Sequence, residues 1–523
     1  MAEFSQTPCA AQSPLEMLSS EPLDVLVVGG GIVGAGVARD AAMRGLRVML
    51  VDQSDFASGT SSRSSRLLHG GIRYLAQGRL PLVREASREK RVLSHIAPHL
   101  ADPLAFIFPT RKHTQWSHWK LAIGVKVYDF LCGRYSNFGR SRVFTHSETT
   151  RLLPGLSTHN LTGAVRYFDA LTNDARLVLD TIRSAAQHGG HAFNYVRLVN
   201  AEFTNGLWRC ELAESKTQRQ IQLQARTVVN ATGPWSDRIP ISRTSLRLTK
   251  GVHLVIERSR LPVPDAVVMA EGSRILFAIP WGERVILGTT DTDYEGPLDR
   301  PMCDAADMQY VLDVTNETFP AAGLKPADVL STWAGLRPLV ADANGNPSDI
   351  SRRHEVRMTS PGWWDITGGK LTTYRLMAEE AVSAIANYVG AGRKPCRTAQ
   401  MALLDSSDTL GVSGILPPVV SAEVVRHHCR YEWARHLDDV MIRRTSWRYY
   451  YREHLDIAAS AAQWMAGELG WQAKDVSAEL NRYRHLVGAD TYPEPHFIMG
   501  ENGRLTKRFP LRPAQAARIN RER

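Results

Sequence analysis

Leu23-Asp24-Val25-Leu26-Val27-Val28-Gly29-Gly30-Gly31-Ile32-Val33-Gly34 is the stretch whose reading decides the fold. Six mostly apolar residues read as a buried strand and run directly into the pattern G-x-G-x-x-G. Gly29 permits a tight turn, Gly31 lets a pyrophosphate approach the backbone, and Gly34 lets helix and strand pack closely. A small-residue helix follows, up to Gly45, and then a second strand, Leu46–Val51. Asp52 closes that strand 18 residues after Gly34, where an acid can accept hydrogen bonds from ribose hydroxyls. The helix N-terminus offers free N–H groups and the positive end of a dipole to phosphates. Together these features predict a dinucleotide-binding β-α-β unit.

Two later segments favour FAD over NAD as the dinucleotide. Thr227-Val228-Val229-Asn230-Ala231-Thr232-Gly233-Pro234-Trp235 reads as a strand entering a small-residue turn, with Ala231 and Gly233 against the cofactor. Thr367-Gly368-Gly369-Lys370-Leu371-Thr372-Thr373-Tyr374 is a second glycine turn opening a helix, with Gly368, Gly369, Leu371 and Thr372 as cofactor contacts. A helix N-terminus there suits the pyrimidine end of a flavin, where negative charge develops on reduction.

Outward from these turns, the 523 residues are 43% hydrophobic and 22% charged, which excludes disorder, collagen and a disulfide scaffold for the bulk of the chain. Lys and Arg exceed Asp and Glu by 63 − 53 = 10, which suits an acidic ligand, an anionic membrane surface or nucleic acid without choosing among them. Six cysteines without a C-x-x-C pair read as reduced thiols, and no metal site is expected. The first basic residue is Arg39, so neither a secretory signal nor a transit peptide is legible, and a cytoplasmic location is expected. No apolar run approaches the roughly 20 residues that span a bilayer.

Helical patterns cover about 80–100, 115–132, 175–188 and 376–389. Strands are expected at Ala192–Glu202, Leu207–Leu212, Ile221–Asn230, Leu246–Ile256, Ala266–Ala270, Ile275–Pro280 and Val285–Thr290, in an antiparallel sheet separate from the β-α-β unit. The expected architecture is α/β. A Rossmann-like FAD-binding domain (about 23–100, 160–190, 225–240 and 355–390) interleaves with an antiparallel-sheet substrate domain (about 100–160, 190–225 and 240–355). A helical C-terminal cap domain spans 401–490, with helices expected at Val424–Leu437, Leu455–Leu469 and Val476–Leu486. Residues 1–22 are expected to be a disordered leader and 491–523 a loose basic tail.

The chain resembles the FAD-dependent respiratory glycerol-3-phosphate dehydrogenases. Besides the glycine turn and Asp52, the resemblance rests on Thr60-Ser61-Ser62-Arg63-Ser64-Ser65-Arg66-Leu67-Leu68-His69-Gly70-Gly71-Ile72-Arg73-Tyr74-Leu75, Lys250-Gly251-Val252-His253, Gly288-Thr289-Thr290-Asp291, Gly335-Leu336-Arg337-Pro338-Leu339 and the Gly368–Arg375 turn. The resemblance implies oxidation of glycerol 3-phosphate to dihydroxyacetone phosphate. A hydride passes to FAD, and electrons continue to ubiquinone or menaquinone. It further implies that Arg73 and Arg352 hold the phosphate with Tyr74 beside them, and that Arg337 and Lys370 sit near the reacting hydroxyl. Thr60, Ser61, Ser62, His69, Gly70 and Gly71 would line the flavin. After Arg444-Thr445 the chain departs from the family's usual continuation and reads Ser446-Trp447-Arg448-Tyr449-Tyr450-Tyr451.

His253 is the expected general base. It lies mid-strand, on the opposite face from its apolar neighbours, and an unperturbed imidazole titrates near working pH. His69 competes for that role, or orients or attaches the flavin. His427-His428-Cys429 reads as solvated helix surface. Residues 103–132 combine Phe106, Phe108, Trp116, Trp119, Tyr128 and Phe130 with Arg111, Lys112, Lys120 and Lys126. Such a mixture on a helix suggests docking on the inner face of the cell membrane, where a quinone resides. No nucleic-acid module is recognisable, and a homodimer is left open. Competing readings are an oxidase that passes electrons to oxygen and a non-catalytic flavoprotein scaffold.

Overall fold

A computed structural model of the chain describes residues 21–71, 79–132, 139–272, 274–340, 354–392 and 394–488, with the backbone of 496–499 and 505–508. Leu23–Val28 forms a strand with parallel neighbours on both sides, Val48–Val51 and Gln220–Asn230. Val25, Leu26 and Val27 are fully buried, as a strand covered on both faces requires. His191–Phe193 and Trp363–Thr367 extend the parallel sheet at its two sides, and Glu355–Ser360 closes one edge antiparallel. The helices Ile32–Met43, Asp174–Gln187 and Tyr374–Tyr388 pack on it through one shared apolar core.

The strand Gln220–Asn230 has two characters. Its first half alternates exposed and buried residues, and pairs antiparallel with Leu207–Glu214, which in turn pairs with Val196–Thr204. Its second half is continuously buried and enters the parallel sheet. The segments 192–230 therefore belong to the first sheet, not to the separate antiparallel one that the sequence reading gave them. The strength of their local alternation conceals that the last strand runs on into the parallel core.

The second sheet has ten strands among the described residues. Leu246–Glu257 is central to it and pairs antiparallel with Arg284–Gly288 and with Val329–Val340. Leu161–Leu171 pairs with Asp102–Arg111 in this sheet, which corrects its assignment to the FAD-binding block. The segment 103–132 holds a strand and then the helix expected over about 115–132. Asp102–Arg111 is a strand, and the helix begins at His118.

The C-terminal helices Ala422–Tyr431, His454–Leu469 and Ala473–Leu486 share a core of their own. The helix expected to reach Leu437 ends at Tyr431. Trp433 takes a left-handed φ of 54°, and the chain re-coils at Asp439–Arg444. Cys210, Cys303, Cys396 and Cys429 are free thiols. Within the expected basic tail, His496–Met499 and Leu505–Arg508 pair as an antiparallel hairpin. Residues 1–20, the greater part of the expected leader, lie outside the described residues.

Candidate active site

The glycine turn opens a groove of about 490 Å³ above the parallel sheet. Gly29 has φ 108°, and a Cβ there would lie 2.5 Å from the Ala231 carbonyl oxygen. A Cβ on Gly34 would lie 1.9 Å from the Gly29 carbonyl oxygen. Both glycines are therefore required where strand, turn and helix meet. Gly31 brings no capping side chain of its own, and apart from the Ile32 N–H, which Ser61 takes, the first turn faces the groove with N–H groups and a positive dipole end. Asp52 accepts hydrogen bonds from the Gly30 N–H (2.6 Å) and the Ser54 N–H (2.8 Å). Burial pushes its carboxyl up to about 7 against the pull of those donors. A helix N-terminus facing the groove, a close-approach glycine turn and an acid on the rim fit a dinucleotide.

The groove continues along Thr60, Pro338 and Gly368–Leu371 into a second cavity of about 560 Å³. Those residues line both spaces, so a ligand bound at the glycine turn reaches the second cavity by passing them. The Ser-rich loop that separates the spaces is tied down one hydroxyl at a time. Ser61 Oγ accepts from the Ile32 N–H at 3.0 Å. Asp174 accepts from the Ser64 N–H (2.9 Å) and hydroxyl (2.7 Å). Ser65 Oγ lies 2.8 Å from His253 Nε2. Small hydroxyl side chains suit this task because each both donates and accepts over a short reach.

His253 lies on the cavity wall, 2% exposed, with its ring stacked on Trp333 at 5.1 Å and 19°. Burial, with Arg337 and Arg66 adding like charge, pushes its imidazolium down to about 3. This corrects the sequence argument from the ordinary histidine value, because the pocket keeps the ring neutral. Arg337 donates to Asp291 (3.0 Å), Thr289 Oγ1 (2.9 Å) and the Thr290 carbonyl (3.1 Å), and faces the cavity from the strand beside His253. Lys370 lines both spaces.

Behind Trp333, Arg66 is buried against aromatic rings, 4.4 Å from the Trp281 centroid and 5.2 Å from that of Trp333. It also donates to Ser446 Oγ at 3.1 Å. The divergent Ser446–Tyr451 segment thus packs against the back of the site. On the opposite side, Asp169 accepts from Lys90 Nζ (2.7 Å), Tyr128 Oη (2.6 Å) and the Gly70 N–H (3.1 Å), anchoring the Gly70-Gly71 turn.

Of the residues expected at the site, Gly29, Gly31, Asp52, Thr60, Ser61, Ala231 and Gly233 line the groove. His69, Gly71, His253, Arg337 and Thr372 line the second cavity, and Gly368, Gly369, Lys370 and Leu371 line both. Gly34, Ser62 and Gly70 are buried beneath these walls and line neither. Arg73, Tyr74 and Arg352 lie outside the described residues. Sequence reasoning missed Ser65, Asp169, Arg274, Phe277 and Asp291 on the second cavity and the Val196–Ala201 edge of the groove. Ser65 and Asp291 stood in quoted motifs, but neither had been given a role.

His427 and His428 are buried, not solvated. Their ring nitrogens and the Glu432 carboxylate lie within 4.8 Å of one another, a spacing that suits a metal. However, Glu432 is gripped by Arg176 at 2.6 and 2.7 Å and by Arg183 at 3.2 Å. Two guanidiniums supply the positive charge there, so the cluster reads as an ion-pair network.

Residues 24–382 match the family model for FAD dependent oxidoreductases, and residues 397–476 match the C-terminal domain of alpha-glycerophosphate oxidase. The chain is 36% identical to glycerol-3-phosphate dehydrogenase 2 of Mycobacterium tuberculosis, over 92% of each chain. It is 35% identical to the aerobic glycerol-3-phosphate dehydrogenase of Staphylococcus aureus, over 74% of this chain and 72% of that one. Among solved structures, the glycerol-3-phosphate dehydrogenase of Bacillus halodurans complexed with FAD superposes with TM-score 0.73 at 28% identity, covering 91% of this chain and 96% of that chain. With its groove, its histidine-bearing cavity and its helical C-terminal domain, this chain belongs to the FAD-dependent glycerol-3-phosphate dehydrogenase family.

Proposed function

We propose that this flavoprotein oxidises glycerol 3-phosphate to dihydroxyacetone phosphate and passes the electrons to a quinone, ubiquinone or menaquinone, in the membrane. The observation that carries the reading is the second cavity. It opens onto the cofactor groove and gathers a buried neutral imidazole, Arg337 and Lys370 around one small space. FAD supplies the hydride acceptor when bound. His253 accepts the hydroxyl proton. Arg337, steered by Asp291 and Thr289, steadies negative charge on the substrate oxygen. Lys370 stands where cavity and groove meet, where its cation would offset the negative charge that a bound flavin gains on reduction. Arg73 and Tyr74 follow the Gly71 wall closely in sequence and, with Arg352, hold the phosphate through paired donors. The His69 backbone N–H donates to Thr372 Oγ1 at 3.1 Å, which ties this turn to the late glycine turn.

The acceptor reading rests on the helix His118–Cys132. Trp119, Ile123, Val127 and Phe130 are 63, 58, 37 and 83% exposed, and fall within about 80° of one helix face. Lys120 stands beside Trp119. An outward apolar stripe with flanking cations suits the interfacial zone of an anionic bilayer. No described helix is long and apolar enough to cross a membrane. On this reading the stripe docks on the inner face of the cell membrane. Oxygen as acceptor is the second reading, favoured by the match of the C-terminal domain to that of an oxidase.

Anaerobic addition of glycerol 3-phosphate should bleach the flavin, and His253→Ala should slow that bleaching at least ~10²-fold with FAD retained. An unbleached flavin removes the dehydrogenase reading. Stoichiometric peroxide in air without quinone replaces the quinone by oxygen.

A further inference from the structure

The base proposed above borders the cavity but shows it very little of its surface. His253 is 2% exposed. One face of its ring lies on Trp333, and Gly288 crowds its edge, where a Cβ would come within 2.8 Å of His253 Cδ2. Trp333 and Gly288 thus hold the ring on one face and at one edge. Nδ1 is buried with no hydrogen-bond partner among the described residues, and Nε2 is taken by Ser65 Oγ at 2.8 Å. Ser65 is itself half-buried and lines the cavity. A small alcohol entering that space meets the serine hydroxyl in front of the imidazole. The loop holds Ser65 in place through its neighbour Ser64, whose hydroxyl donates to Asp174 and whose carbonyl accepts from Trp333 Nε1 at 3.1 Å.

We propose that Ser65 is a catalytic residue, relaying the substrate's hydroxyl proton to His253. The inference rests on the reading of His253 as the base. In the tautomer that carries its proton on Nδ1, Nε2 is an acceptor and the Ser65 hydroxyl donates to it. The substrate hydroxyl donates in turn to Ser65 Oγ. As the carbon–hydrogen bond breaks and its electron pair leaves as hydride to FAD, the substrate proton moves to Ser65 Oγ and the Ser65 proton moves to Nε2. The alcohol becomes a ketone, FAD is reduced by one hydride, and one proton resides on the imidazole. After the product leaves, that proton returns to solvent through the same hydroxyl. The second hydroxyl lets a buried, rigid ring act on a substrate that it does not touch. Burial, then the charges of Arg337 and Arg66, disfavours the imidazolium, so the proton is passed back from the base.

The test uses the FAD-loaded enzyme and follows loss of flavin absorbance under anaerobic glycerol 3-phosphate. Ser65→Ala should slow flavin reduction at least ~10-fold with KM changed less than about threefold, and Ser65→Thr should restore most of the rate. Ser65→Ala reduced at the wild-type rate, or Ser65→Thr as slow as alanine, overturns the relay. If the alanine variant does not retain FAD, the wild-type enzyme in mixtures of H₂O and D₂O decides. Two protons in flight give a curved dependence of rate on deuterium fraction, whereas a straight line, or no solvent effect, overturns the relay. His253→Ala separates the two claims. A fast His253→Ala removes the base reading itself, and a slow His253→Ala beside a fast Ser65→Ala removes only the relay.

Discussion

At the scale of the residue, the environment of His253 decides its chemistry more than its identity does. Burial comes first, then Arg337, then Arg66, and together they hold the imidazole neutral down to about 3. An acceptor that is neutral over the whole working range gives a rate of flavin reduction, at saturating substrate, without an imidazole inflection between pH 8 and 5. Removing a neighbouring cation moves the transition upward. Arg66→Met should bring the acid limb of the rate profile to higher pH, while burial and Arg337 keep it below the ordinary value near 6.5. The same substitution removes the contact with Trp281 and Trp333, worth about 0.5–2 kcal/mol. Stopped-flow reduction from pH 4 to 8 measures the shift, and an unmoved profile would mean that Arg66 acts only by packing.

At the scale of the element, the helix His118–Cys132 divides its aromatics by face. Trp116, just before it, and Tyr128 point into the core beside Phe106 and Phe108, while Trp119, Ile123, Val127 and Phe130 face out. The sequence held all these aromatics in one list. Only the strand-to-helix change at about 112–117 sorts them, because a strand alternates faces every residue and a helix returns to a face every three or four. Replacing Trp119, Ile123 and Phe130 together by Ser should abolish flotation with anionic vesicles and leave anaerobic bleaching by glycerol 3-phosphate unchanged. Flotation that survives the triple change assigns membrane contact to another surface.

At the scale of the whole molecule, two buried ion networks clamp the C-terminal domain to the FAD-binding sheet. Asp55, at the end of the β-α-β unit, accepts from both Arg443 and Arg444, and Arg443 also meets Asp438 and Asp439. Burial would raise the Asp55 carboxyl, but Arg444 and Arg443 hold it below its usual value. Removing one buried partner leaves an uncompensated charge, so Arg444→Met should cost about 3–5 kcal/mol, read as a lower denaturant midpoint of the holoenzyme. In the second network, burial pushes His428 down to about 4, beside Glu432. The unfolded chain binds a proton at this site near pH 6.5 and the folded one only near 4, so folding stability falls as pH drops through that window. His428→Gln should flatten the decline of melting temperature between pH 6.5 and 4, and an unchanged slope would show that other groups carry it.

The sequence by itself determined the β-α-β unit, because local spacing encodes it, and its longer motifs carried the resemblance that implies FAD and the family. A turn that only glycine can make, followed by a helix and an acid, leaves one geometry. The helices 454–469 and 473–486 were legible for the same reason, to within a few residues. What only the tertiary structure decided depends on segments far apart in the chain. The strand pairing that moved 192–230 into the first sheet depends on its partner strands, not on its own pattern. Glu432, the partner of His428, is gripped by Arg176 and Arg183, about 250 residues away. Ser65 meets His253 across 188 residues. A motif states which groups are available, but desolvation and neighbouring charge, which set proton affinity and access, exist only once the chain has closed around them.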